Sequence, residues 1–327
     1  MKFDGIESGT EEPMPKLIGM DEAGLGPNLG PFVVAVTVWD VPTTPRTFDL
    51  WDAFSEVFTN EPGTNDARLH IADSKQVFQP HKGLHGLERP VLAALRLLGH
   101  TPRTFRELHE LLVTANALKA ESDEAESWYR DHDFELPTAD HDFSMVEHWQ
   151  RCCHDRDVRL VAVKVALVEA PRFNRLLREY DNKSLVVSRI AFELLRSVWD
   201  PDETETFIVG DKHGGRNRYD QLLAEVLDGE MIFRLEESAE RSEYRVGKTV
   251  LRFQPRAEVH APVALASMTA KYVRELAMTQ FNRFWARHID DLRPTQGYPL
   301  DARRFRDEIA EVQQRLGILD DHLWRNR

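Results

Sequence analysis

The segment from Gly19 to Pro31 constrains this chain more than any other. It reads Gly-Met-Asp-Glu-Ala-Gly-Leu-Gly-Pro-Asn-Leu-Gly-Pro. A short apolar run, Leu17-Ile18, leads into the adjacent carboxylates Asp21 and Glu22, and a β-prone run from Phe32 to Trp39 follows the Gly/Pro loop. That order predicts a strand, an acidic corner, a tight backbone and a second strand. Paired carboxylates at a strand end suit a hard divalent cation and a phosphate. Glycine beside them lets backbone approach a ligand closely.

The remaining pattern alternates. Val158 to Val168 reads as a strand and Leu185 to Val198 as a helix. Thr206 to Asp211 is a short strand ending in an acid, and Tyr219 to Leu227 a helix. Met231 to Leu235 and Thr249 to Phe253 are further strand candidates. A long helix covers His260 to Phe284, with Pro262 in its first turn, and an amphipathic helix covers Ala302 to Leu316. This alternation predicts an α/β fold. Residues 1–15 are polar and acidic and read as a disordered leader. Residues 41–70 read as irregular, and Ile71 to Lys75 as a turn or helix start. In residues 84–155, Val91, Leu95 and Leu98 share one helical face, and Phe105, Leu108, Leu111 and Leu112 another. That stretch reads as a helical insertion or subdomain within a catalytic domain formed by 16–83 and 156–327.

Charge narrows the function. The 327 residues hold 42 basic and 55 acidic side chains, so 42 − 55 = −13. This argues against a protein that coats nucleic acid nonspecifically, which needs many Lys and Arg contacts, but it leaves room for a local basic groove. The two cysteines, Cys152 and Cys153, are adjacent and give no disulfide framework. A reducing, cytoplasmic location is the expectation, with no membrane association, because no apolar run reaches transmembrane length.

Four acids stand out by position: Asp21 and Glu22 after the first strand, Asp211 after another, and Glu275 inside the long helix. Most of 55 acids are solvated surface. Asp211 also suits a helix cap and Glu275 a pair with Lys271 one turn away. No dinucleotide fingerprint, Walker sequence or zinc-spaced Cys/His set competes with the acids.

These segments resemble the type 2 ribonuclease H family, which includes ribonucleases HII and HIII. Gly19 to Pro31 is similar to the family's Asp-Glu loop. Ala72-Asp73-Ser74-Lys75 resembles its Asp-Ser-Lys element, and the strand ending at Asp211 its third acidic position. Ala266 to Glu275 resembles its Ser-x-x-Ala-Lys-x-x-Arg helix, and Gly297-Tyr298-Pro299 a weaker C-terminal motif. The resemblance spans roughly 16–80 and 157–305. It implies an RNase H-like fold, a central mixed sheet flanked by helices. It also implies metal-dependent hydrolysis of the RNA strand of RNA/DNA hybrids, or incision at ribonucleotides in DNA. Asp21, Glu22, Asp211 and Glu275 would then be catalytic and metal-binding, holding two Mg²⁺ or Mn²⁺ ions for in-line phosphodiester hydrolysis, with Asp21 bridging them. Gly24, Leu25, Gly26, Ser74, Lys75, Lys271 and Tyr298 would contact substrate.

The chain departs from the family at Leu25, where the family places a cation, and after Asp211, where Lys212-His213-Gly214-Gly215 replaces Gly-Asn. Residues 84–155 have no clear counterpart. Two other functions remain open on the same fold. One is a hybrid-binding or partner-binding protein with weak or no turnover, and the other a metal-dependent phosphodiesterase with a changed substrate.

Overall fold

The computed structural model describes residues 13–114, 127–130 and 133–326. Strands β1 (Lys16–Ala23) and β2 (Phe32–Asp40) pair antiparallel around the Gly/Pro loop. Short elements follow: α1 (Leu50–Ala53), β3 (Phe58–Thr59), β4 (Leu69–His70) and α2 (Ser74–Val77). Next come helices α3 (His85–Leu97), α4 (Phe105–Leu112), α5 (Ser127–Arg130) and α6 (Met145–Arg156). Then follow β5 (Arg159–Val168), α7 (Ala170–Tyr180), α8 (Lys183–Arg196), β6 (Thr206–Asp211) and α9 (Asp220–Val226). Strands β7 (Ile232–Glu237), β8 (Ser242–Val246) and β9 (Thr249–Gln254) lead into α10 (Ala261–Ala286), α11 (Pro299–Arg315) and α12 (Asp320–Leu323).

The main sheet has the order β5-β2-β1-β6-β9-β8-β7. Strands β1, β6 and β9 run parallel, and the pairings of β2 with β1 and β5, and of β8 with β7 and β9, are antiparallel. The expected α/β fold, a central mixed sheet flanked by helices, is therefore present. Period-two alternation divides its side chains between two cores. Leu17, Val33, Ala35, Phe207 and Val209 pack with α10, α3, α4 and α6. Ile18, Met20, Val34, Val36 and Ile208 pack with α7, α8 and α9 on the other face.

The sequence reading places most elements within a few residues. It omits β8, where charged Glu243 and Arg245 break the apolar pattern, and α7, which begins one residue after β5. Residues 41–70, read as irregular, hold α1, β3 and β4, and α12 is also missed, all four being too short for periodicity to mark. The disordered leader falls outside the described residues for 1–12. Helices α3, α4 and α6 lie within the segment read as an insertion, and their described residues pack into the core of the sheet. Leu87, Val91, Phe105, Leu108 and Trp149 join the same buried cluster as Leu17 and Val33 of the sheet.

One glycine fixes where α10 lies. A Cβ on Gly19 would stand 2.2 Å from the carbonyl carbon of Pro262, so only glycine lets the start of α10 rest on β1. On the neighbouring strand the Thr37 hydroxyl donates to the Pro262 carbonyl at 2.8 Å. These two contacts set the N-terminal end of α10 across the middle of β1 and β2.

Candidate metal and nucleic-acid site

Asp21 and Asp211 meet by strand register. Met20 lies opposite Gly210 on parallel β1 and β6. One residue further on, Asp21 and Asp211 stand side by side on strands about 4.8 Å apart. Both share the face of Leu17, Phe207 and Val209, which α10 covers. Glu22, by alternation, turns to the opposite face, where its charge is felt by Tyr219. The acidic pair thus projects to both faces at the C-terminal end of an interior strand.

A further acid joins from the turn between β9 and α10. Glu258 sits in the single helical turn Ala257–Val259, and its charge acts on Asp21 and Glu22. Asp73, the N-cap of α2, contributes a carboxylate that acts on Asp211 and Glu258. The consequences appear in protonation. Burial, opposed by a hydrogen bond from Ser267 and reinforced by Glu258 and Asp211, pushes the Asp21 carboxyl up to about 7. Burial, then Asp21 and Asp211, raise Glu22 well above the usual carboxylate range. Burial also raises Asp211, against the Lys212 amide and Lys75, and it raises Glu258. Lys75 is the counter-charge. Burial works against its ammonium, but Asp73, Asp21, Glu258 and Asp211 together hold its pKa above the ordinary lysine value.

The serine expected at the site has a positioning part. Ser74 and Ser267 hydrogen-bond through their hydroxyls at 3.1 Å, and the Ser74 amide donates to the Ser267 hydroxyl at 3.4 Å. Ser267 in turn bonds Asp21. The pair joins α2, which carries Lys75, to α10 and to the acid of β1.

The structure does not bring Glu275 into this group. Glu275 accepts from Lys271 at 2.6 Å and from Arg274 at 3.2 Å. It lies eight residues beyond Ser267, about 12 Å along the helix axis at 1.5 Å per residue. The resemblance had put the fourth acid on Glu275, and the cluster holds Glu258 instead. A sequence signal existed. Glu258 follows a strand end by four residues, as an acid set just past parallel β9. Lys271 is committed to Glu275 and lies over the Phe78 ring, 4.6 Å from its centroid.

The loop of Gly24, Leu25 and Gly26 borders the acids. Gly24 has φ +89, and a Cβ there would meet the Arg274 side chain at 2.6 Å. Tyr298 is half exposed and its ring lies 3.8 Å from the position of a Cβ on Gly26. Below the Asp211 turn, His213 is buried and pushed down to about 3, chiefly by burial, so it is neutral. Its Nδ1 lies 3.0 Å from the Ser188 hydroxyl and its amide donates to the Tyr219 hydroxyl at 3.0 Å. It props the turn. Lys212 is held by Asn217 and the Ser238 carbonyl, both at 2.6 Å.

A second donor group lies elsewhere. Glu56, His148 and Cys152 bring one ligand atom each within 4.8 Å of one another, although Glu56 already pairs with Arg156 at 3.0 Å. Its sulfur and imidazole favour softer metals than the all-oxygen carboxylate cluster does.

Neither a family model nor a curated protein matches the chain. Its structure is similar to several solved ones. Ribonuclease H2 from Pyrococcus horikoshii OT3 is 15% identical with a TM-score of 0.48, over 94% of this chain and 92% of the other. RNase HII in its PCNA complex from Archaeoglobus fulgidus is 13% identical with a TM-score of 0.40, over 95% and 94%. Bst-RNase HIII in complex with Mn²⁺ is 18% identical with a TM-score of 0.40, over 99% and 71%. No helix among the described residues is long and apolar enough to cross a membrane.

Proposed function

We propose that this chain is a metal-dependent endonuclease of the ribonuclease H type, acting in the cytoplasm on the RNA strand of RNA/DNA hybrids or at ribonucleotides in DNA. One observation carries the reading. Asp21, Glu22, Asp211 and Glu258 lie around the C-terminal ends of β1, β6 and β9, where burial and mutual repulsion raise their carboxyls. Such clustering costs stability unless protons or cations relieve it.

The donor set is all carboxylate oxygen, which fits Mg²⁺ or Mn²⁺. Asp21, Glu22, Asp211 and Glu258 would hold the ions. Bound there, divalent ions supply Lewis-acid stabilisation of the charge that develops at a phosphodiester and favour deprotonation of water. The chain's own groups do the remainder. Lys75 places a cation at the rim, where a substrate phosphate can take up its charge. Ser267 orients Asp21. Gly24, Leu25 and Gly26 offer backbone close to a ribose, whose 2′-hydroxyl separates RNA from DNA. Tyr298 offers a ring against the sugar.

The test uses three labelled substrates with Mg²⁺ or Mn²⁺: a continuous RNA/DNA hybrid, a DNA duplex with one ribonucleotide, and all-DNA. Cleavage of either of the first two, abolished by Asp21→Asn, is the expected result. Equal cleavage of DNA would point to a phosphodiesterase with another substrate. Tight metal-independent hybrid binding without cleavage would point to a binding protein.

A further inference from the structure

The carbonyls of the Gly24–Leu29 loop are taken up from within by basic groups. Arg325 Nη2 donates to the Gly24 carbonyl at 2.5 Å and to the Pro27 carbonyl at 2.7 Å. Lys183 Nζ donates to the Leu25 carbonyl at 2.8 Å. The Arg325 amide donates to the Asn28 carbonyl at 2.8 Å, and Arg274 reaches the Leu29 carbonyl at 3.4 Å. In a trans peptide the C=O and the following N–H point to opposite sides of the chain. Drawing the Gly24 carbonyl onto Arg325 therefore turns the Leu25 amide away from Arg325. Drawing the Leu25 carbonyl onto Lys183 turns the Gly26 amide away from Lys183. Among the described residues neither amide has an internal acceptor, and Gly26 is exposed.

Arg325 cannot readily swing aside. The Asn28 side chain donates to its carbonyl at 3.0 Å. Asn174, fully buried, donates to the Trp324 carbonyl at 2.8 Å and to Asp321 Oδ1 at 2.7 Å, and accepts from the Asn326 amide at 2.8 Å. The Arg325 guanidinium lies over the Phe173 ring, 5.2 Å from its centroid. Arg325 is 1% exposed, and its Nε and Nη1 have no hydrogen-bond partner among the described residues. A cation buried with donors unmet is a poor way to stabilise a fold. Its two carbonyl bonds are what the position provides.

We propose that Arg325 is a positioning residue for substrate recognition. It acts from the far end of the chain and aims the Leu25 and Gly26 amides at the sugar and phosphate oxygens of the substrate. Lys183 completes the clamp. This proposal rests on the nuclease reading above.

The experiment compares full-length wild type, Arg325→Met, Arg325→Lys and Lys183→Met on the hybrid and on the single-ribonucleotide duplex. Arg325→Met is expected to raise KM about tenfold or more, the scale of one to two lost substrate hydrogen bonds, with a smaller change in kcat. Arg325→Lys, which keeps a cationic donor but not the planar fork, restores part of that loss. The Mn²⁺-induced rise in Tm stays at the wild-type value, because the acid cluster is untouched. Lys183→Met reproduces the KM effect from a partly exposed side chain and serves if the Arg325 variants do not fold. Amide NMR gives a second readout: hybrid shifts the Leu25 and Gly26 resonances in wild type and not in Arg325→Met. A wild-type KM in Arg325→Met and Lys183→Met, or a fall in kcat alone, overturns the proposal. A wild type that neither cleaves nor binds either substrate overturns the nuclease reading, and this one with it.

Discussion

Replacing Asp21 by Asn should stabilise the metal-free protein while abolishing its proposed activity. The unfolded Asp titrates near 3.8, and the folded one is pushed up to about 7, first by burial and then by Glu258 and Asp211. The folded chain therefore holds an extra proton between those values. Stability present below pH 3.8 is lost as pH rises through about 7. The interval corresponds to roughly 4 kcal/mol once both states are ionised, and to under about 1 kcal/mol at pH 4. Asn cannot ionise, and its amide oxygen still accepts from Ser267. In EDTA at pH 8, urea unfolding should place Asp21→Asn above wild type by up to about 4 kcal/mol. At pH 4 the two curves should nearly coincide. Mg²⁺ or Mn²⁺ at about a thousand times its Kd should close that gap at pH 8, because an ion that binds only the folded state then adds about 4.1 kcal/mol. If Asp21→Asn is the less stable protein at pH 8 in EDTA, or if the gap does not widen with pH, the account of the site as a strained carboxylate cluster is wrong.

Other perturbations separate neighbouring roles. Glu258→Gln should lower kcat/KM on a hybrid at least a hundredfold, a few kcal/mol of lost transition-state stabilisation, while Glu275→Gln lowers it less than tenfold. Equal losses would return Glu275 to the metal set. Gly19→Ala should cost about 3 kcal/mol or more in urea unfolding, since its Cβ meets backbone rather than a movable side chain. A loss under 1 kcal/mol would show that α10 is not pinned there. Glu88→Ala should destabilise by roughly 3–5 kcal/mol. It leaves the Tyr272 hydroxyl, the Thr138 and Ala139 amides and His141 without the buried carboxylate they share.

Local chemistry made most of the sheet and half of the site legible. The β1 and β6 strands show as apolar runs ending in acids. Their parallel pairing offsets the chain by 190 residues, from Lys16 opposite Thr206 to Met20 opposite Gly210. Nothing in the sequence states that offset, yet it puts Asp21 beside Asp211. Glu258 leaves no periodic mark, because it lies in a turn of three residues. Glu275 stands out in the sequence because a helical motif frames it, but that same helix carries it away from Asp21 and supplies Lys271 and Arg274 to neutralise it. Arg325 left no local trace. Its partners, Gly24 and Pro27, are about 300 residues distant in the chain, and a lone Arg near a terminus reads as surface.

The alternation that divides Asp21 from Glu22 also ties the site to the whole fold. Asp21 faces α10, where Ser267 and Glu258 reach it, and Glu22 faces the layer of α8 and α9, where Tyr219 lies. Neither layer alone encloses the pair. The α10 layer is set by the backbone contact at Gly19, and the opposite turn by neutral His213 between Ser188 and Tyr219. The carboxylates come together only when both layers are packed. Their repulsion therefore falls on the folded state alone, and a cation that relieves it acts as a ligand for folding as much as for chemistry.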